Sequence, residues 1–215
     1  FYFGPDAKQL SPEAVAKLSE LMSRDETYTS VVNKLLQGGT AERPVVFSKE
    51  LTTYFKSDKL SPEVLSQFTN CFLIRQPEKA LRSWWRLVSK DERGAWFDPS
   101  EAGYAELEEL YHIVTGTPGQ AAVVVDAEDL LQRPEPTLKA WCSLIGLPWH
   151  PITSWEPKEP HNWKKWAGWH KDAIGSSGFE EKKHTDNDVA LPKIVRDTIT
   201  ACNKHYNVLY RHRIV

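Results

Sequence analysis

The sequence predicts an α/β fold: a parallel sheet covered by helices on both faces. Three observations predict it. Short continuous apolar runs at Val45–Phe47, "CFLI" (71–74) and "AAVVVD" (121–126) alternate with helix-patterned segments. Unbroken apolar runs, unlike alternating ones, suit strands buried on both sides. The 215 residues, 40% hydrophobic and 26% charged, hold enough apolar material for the core of one ordinary domain.

The elements follow in order. "SPEAVAKLSELMSR" (11–24) reads as a helix, with Ser11 as N-cap, Pro12 in its first turn, and an apolar stripe of Val15, Leu18, Leu21 and Met22. "TYTSVVNKLLQGG" (27–39) is a second helix stopped by Gly38 and Gly39. "RPVVFSKEL" (43–51) reads as a buried strand opening into a polar loop, and "SPEVLSQFT" (61–69) as one or two capped helical turns. The strand "CFLI" follows, and after Arg75 and Gln76 a helix begins at Pro77. Its residues Ala80, Leu81, Trp84, Trp85 and Val88 share one face directed at the core. "DPSEAGYAELEELYHIV" (98–114) is one further amphipathic helix, closed by "GTPG" (116–119). The strand "AAVVVD" leads directly into "AEDLLQ" and the helix "EPTLKAWCSLIG" (135–146).

From Leu147 the composition changes. The segment is rich in proline and holds five of the nine tryptophans, Trp149, Trp155, Trp163, Trp166 and Trp169. "GSSGFEEKKHTDND" (175–188) reads as a mobile loop, and "LPKIVRDTITACNKHYNVLY" (191–210) as a closing helix. The expected organisation is an α/β core over 1–146, with 147–215 a Trp- and Pro-rich extension completing the same domain. The opening "FYFGPDAKQL" lacks a methionine and starts on aromatics, so a preceding segment is expected.

Net charge is −2 and the pI near 6.4. A general nucleic-acid or anionic-membrane binder would be more basic, so charge allows at most a local anion site. No apolar run spans a bilayer and no signal peptide is visible. Cys71, Cys142 and Cys202, odd in number and far apart, suit a reduced, cytoplasmic protein. Cys202 and His205 lack a second pair at zinc-ligand spacing, so no metal is expected.

Ligands of open parallel sheets bind at the carboxyl ends of the strands. Those ends carry Ser48-Lys49-Glu50, Arg75-Gln76, and Asp126 with Glu128 and Asp129. Arginine's planar fork suits phosphate or sulfate oxygens. Ser83, eight residues beyond Arg75, would reach the same anion if the joining loop folds back; an arginine at a strand end can equally be solvated.

The order strand, Arg, seven residues, Ser in "FLIRQPEKALRS" resembles the 3′-phosphate-binding motif of sulfotransferases, enzymes of the P-loop superfamily that use 3′-phosphoadenosine 5′-phosphosulfate (PAPS). "FYFGP", "WFDPSEAGYAELEELY", "VVVDAEDLLQRPEPTLKAWCSLIGLP" and "SWEP…WKKWAGWHKDAIGSSGF" resemble a microbial branch of that family. The resemblance implies a P-loop-type sheet and transfer of a sulfuryl group from PAPS to a hydroxyl or amine of a small-molecule acceptor. It implies Arg75 and Ser83 on the 3′-phosphate, Lys182 or Lys183 on the nucleotide, Lys49 at the reacting group, and Glu50 or His170 as the proton acceptor. The family's P-loop would precede Phe1, and its usual histidine after Lys49 is replaced by Glu50. A small-molecule acceptor is the expected partner, with a homodimer left open. Two alternatives stand: a sulfotransferase-like binding module without transfer, and a P-loop kinase or nucleotidase, for which Asp126 is the one candidate magnesium ligand although it reads better as the cap of the helix that follows.

Overall fold

β1 (Asn70–Ile74) and β2 (Ala122–Asp126) pair in parallel, with Phe72 opposite Val124 and Ile74 opposite Asp126. This computed structural model describes residues 27–54, 60–89, 97–152, 154–158, 173–180 and 190–215. The chain divides into two compact units, Phe1–Phe68 and Thr69–Val215. The sheet belongs to the second.

In the first unit, α1 (Tyr28–Leu36) starts at Thr27. The Thr27 hydroxyl accepts from the Ser30 N–H while the Ser30 hydroxyl accepts from the Thr27 N–H, so two otherwise orphaned donors are satisfied. Past its end Gly38 turns at φ +73°, the left-handed conformation expected of a helix-terminating glycine. α2 (Pro62–Leu65) is a single turn capped by Ser61. The strand expected at Val45–Phe47 does not form: these residues are irregular and exposed, Phe47 at 72%. Three apolar residues between Pro44 and Ser48 become a strand only when a neighbour pairs with them, and Pro44 itself cannot donate. Among the described residues the sheet therefore has two strands. The α/β class stands, while a P-loop topology is not established by a pair.

In the second unit, α3 (Pro77–Val88) begins with proline at a position where no N–H is needed, and buries Pro77, Leu81 and Val88. Trp84 and Trp85 are only half-buried and meet Phe97, Trp84 tilted against its ring at 4.5 Å and Trp85 edge-on at 6.2 Å. The single helix expected over 98–114 is two elements. Asp98 caps a 3-10 turn (Pro99–Glu101), the chain reverses at Gly103 (φ +73°), and α4 (Tyr104–Gly116) follows. A left-handed residue cannot continue a right-handed helix, which is why the break falls at the glycine. α5 (Ala127–Gln132) and α6 (Pro134–Leu144) follow β2 at once.

α7 (Lys193–Tyr210) packs against α3, α4 and both strands, burying Val195, Ile199, Cys202, Tyr206 and Leu209. Beyond it the chain returns to the sheet: Arg213 bridges Val124 in parallel, and the Ile214 N–H donates to the Val124 carbonyl at 2.9 Å. β2 thus lies between β1 and the C-terminal residues, and Val123 through Asp126 are all buried. β1 alternates instead. Phe72 and Ile74 are buried, Phe72 edge-on to Tyr111 at 5.7 Å, while Cys71 and Leu73 are exposed.

In the tryptophan-rich segment, Trp155 meets Phe179 edge-on at 5.0 Å, and Ser154 bridges Gly178. Trp163, Trp166, Trp169, the helix expected at 11–24 and most of the loop expected at 175–188 lie outside the described residues. Among the described residues no helix is long and apolar enough to cross a membrane.

Candidate functional site

The parallel register brings the carboxyl ends of β1 and β2 side by side. Ile74 pairs with Asp126, so the residues just beyond, Arg75-Gln76 and Ala127-Glu128, emerge as neighbours.

Asp126 organises this rim. It is 1% exposed, and its carboxylate accepts from the Glu128 N–H (2.9 Å), the Asp129 N–H (3.3 Å) and the Tyr206 hydroxyl (2.9 Å). The first two bonds cap α5. Burial, with the Asp126 carboxylate that the hydroxyl contacts, pushes the Tyr206 phenol well above its ordinary pKa. Asp126 is a structural cap, which argues against the magnesium-ligand reading. Asp129, on the same turn, takes Arg213 Nε at 2.8 Å, and the Arg213 guanidinium lies 3.6 Å from the Tyr210 ring centre.

Arg75 is placed by its backbone. The buried Tyr104 donates its hydroxyl to the Arg75 carbonyl at 2.7 Å, and burial raises that phenol's pKa also. The Arg75 side chain, 41% exposed, faces Glu128, 17% exposed. Arg75 Nε stands 3.5 Å from Glu128 Oε1, and Lys79 Nζ, one turn into α3, stands 3.6 Å from the same oxygen. The Gln76 N–H donates to Glu128 Oε2 at 3.4 Å. These separations exceed the usual 2.7–3.2 Å of N–H···O bonds. Arg75 Nε and Glu128 Oε1 are both buried without a hydrogen-bond partner. Chemically the rim presents two cations and a backbone donor, gathered around one carboxylate.

Of the other residues singled out from the sequence, Ser83 lies in the same compact unit as this group. The Ser83 hydroxyl accepts from Arg86 at 3.3 Å and makes no bond with Arg75. Lys49 and Glu50 lie in the first compact unit, exposed, and Glu50 accepts from the Ser48 hydroxyl. His170, Lys182 and Lys183 lie outside the described residues. Lys79 and the pairing of Glu128 with Arg75 escaped sequence reasoning. The available signal was opposite charge at adjacent parallel strand ends, but reading it requires the register. Among the described residues no cluster of three or more His, Cys, Asp and Glu could hold a metal ion.

Two curated proteins of Arabidopsis thaliana are similar to the chain. Branched-chain-amino-acid aminotransferase-like protein 2 is 26% identical over 199 residues, 90% of this chain and 33% of the relative. Branched-chain-amino-acid aminotransferase-like protein 1 is 26% identical over 201 residues, with the same coverage. The chain thus spans about a third of the length of the curated relatives it matches. No family model matches, and no solved structure does. These relatives correct the resemblance drawn above: both are named aminotransferase-like, neither a sulfotransferase, and the PAPS-dependent sulfuryl transfer and the PAPS co-substrate are withdrawn with that assignment. An arginine and a serine eight residues apart constrain only a strand, a short loop and a helix. In the folded chain the Ser83 hydroxyl accepts from Arg86.

Proposed function

We propose that this chain is the ligand-binding part of a transferase-class, aminotransferase-like protein, and that it receives an anionic group, carboxylate or phosphate, at the end of β1. One observation carries the reading: Arg75 Nε is buried beside a carboxylate at 3.5 Å and makes no hydrogen bond, although buried donors are nearly always satisfied. Arg75 and Lys79 supply the charge, and the Gln76 N–H adds a fixed donor. The relatives' names support the transferase class.

Aminotransferase chemistry belongs to pyridoxal phosphate, held as a Schiff base on a lysine enclosed in its site. The described residues do not fit that group. Lys79 is half-buried and engaged with Glu128, and the other described lysines are exposed. Two experiments test the proposal together. Calorimetric titration with inorganic phosphate and with acetate should show saturable binding by the parent and much weaker binding by Arg75→Ala; identical isotherms would refute the site. Incubation with pyridoxal phosphate, borohydride reduction and peptide mapping should give scattered substoichiometric labelling. One lysine labelled to completion would show that the chain carries the cofactor itself.

A further inference from the structure

We infer that Glu128 is an internal counter-ion occupying the anion position of the Arg75–Lys79 pair, so that an incoming anion binds by displacing it. The inference rests on the anion-binding reading above and adds the regulation of that site.

The geometry separates Glu128 from the permanent ion pairs around it. Asp129, one residue on, meets Arg213 Nε at 2.8 Å and Arg133 at 3.2 Å. Asp126, two residues back, accepts three hydrogen bonds. Glu128 closes none of its contacts so well: 3.5 Å to Arg75 Nε, 3.6 Å to Lys79 Nζ and 3.4 Å to the Gln76 N–H. A carboxylate that served only to fix Arg75 would gain by moving a few tenths of an ångström into hydrogen-bond range. Instead Glu128 Oε1 and Arg75 Nε are buried from water yet unbonded. Burying Arg75 Nε and Glu128 Oε1 with no hydrogen bond to either atom leaves their desolvation incompletely offset. Such a contact gives way to a ligand that bonds the cations better. The rest of the arginine is ready for one, because its terminal nitrogens bond no described residue.

Release of Glu128 needs no rearrangement of the fold. Its backbone N–H stays on Asp126, and α5 is held separately through Asp126 and Asp129. A turn of the Glu128 side chain alone opens the site. The ligand is therefore a compact anion of the same reach as a carboxylate, and the competing carboxylate weakens its apparent affinity by a constant factor.

The test is the affinity of Glu128→Gln for inorganic phosphate, measured by calorimetry at low salt with melting temperature recorded alongside. Glutamine keeps the size and the acceptor for the Gln76 N–H but removes the charge competing for two cations. Partly exposed ion pairs are each worth a few-fold, so phosphate should bind about three- to tenfold more tightly than to the parent. Arg75→Ala/Glu128→Gln should show no such gain, since the competition has lost its object. Acetate in place of phosphate tells the two anion classes apart: a gain of similar size for both means the site reads charge, a gain for one alone names the class. If Glu128→Gln melts early, Glu128→Asp withdraws the carboxylate by one methylene and should tighten binding in the same direction. Equal or weaker phosphate binding by a folded Glu128→Gln, with Arg75→Ala still impaired, overturns the counter-ion role and leaves the anion site standing. No saturable binding of either anion to parent or Glu128→Gln overturns both.

Discussion

Two parallel strands end side by side in this protein, and their ends are built differently. At the end of β2, Asp126 is sealed from solvent with every contact made: two backbone donors of α5 and the Tyr206 hydroxyl. At the end of β1, Arg75 is half-open, and its Nε faces Glu128 at a distance too long for a hydrogen bond. Both ends place a charge where a strand meets a helix. One charge is spent on holding the fold; the other is left with unmet capacity. Charge at a strand end does not by itself mark a ligand site; the proposed anion site rests on the unmet hydrogen-bonding capacity at Arg75.

The largest expected effect lies on the sealed side. Asp126→Ala removes a helix cap and orphans three donors, one of them the buried Tyr206 hydroxyl. Losing the cap costs ~1 kcal/mol and each buried unsatisfied group about 1–3, so a loss of roughly 2–4 kcal/mol is expected, lowering Tm by roughly 5–15 °C in calorimetry. Asp126→Asn, which keeps one acceptor oxygen, should cost less. A melting temperature unchanged in Asp126→Ala would dissolve the contrast.

Tyr206→Phe is the next probe. It removes one donor from Asp126 and should cost roughly 1 kcal/mol in urea unfolding. Its pH dependence has a definite sign. The fold raises the phenol's pKa, so the folded state keeps a proton that the unfolded state has released near pH 10. This contribution is fully present below about pH 10 and is lost as pH rises further. Tyr206→Phe should therefore flatten part of the alkaline fall in stability, while Tyr104, raised by burial in the same direction, keeps the rest. An alkaline limb identical in the two proteins would mean that Tyr206 does not titrate with folding.

The smallest effect belongs to the open face of β1. Leu73 is 59% exposed, and Leu73→Lys should change stability by no more than about 0.5 kcal/mol. Val125→Lys, one strand over on the same face but buried, should be strongly destabilising, because a charge would enter an apolar site without a partner. Equal losses in the two variants would show that the Leu73 face is covered in solution.

How much of this was legible in the sequence depended on the range of the interaction that decides each feature. The helices at 77–88 and 193–210, the turn after Ser61 and the strands 70–74 and 122–126 rest on local pattern and capping, and all were readable. Val45–Phe47 was misread because pairing with another strand, not apolarity, makes a strand, and that pairing is non-local. The break at Gly103 was written in the chain, but a glycine inside a helical pattern looks tolerable until its φ is seen. Arg75 stands out in the sequence by its position at a strand end. Glu128, the residue it faces, lies 53 positions later, and only the parallel register joins them. The sulfotransferase resemblance is overturned by the relatives, both named aminotransferase-like, and not by any one residue of the folded chain.

The difference between the two strand ends is tested most directly by one paired measurement, phosphate affinity and melting temperature for Arg75→Ala and Asp126→Asn. Arg75→Ala removes a half-exposed side chain whose nitrogens close no hydrogen bond, so its Tm should stay within about 2 °C of the parent while phosphate affinity falls tenfold or more. Asp126→Asn should lower Tm well beyond that, yet at temperatures where it remains folded it should bind phosphate within a few-fold of the parent. An Arg75→Ala protein that melts early and binds phosphate as the parent does would contradict the account, because the end of β1 would then be holding the fold as the end of β2 does.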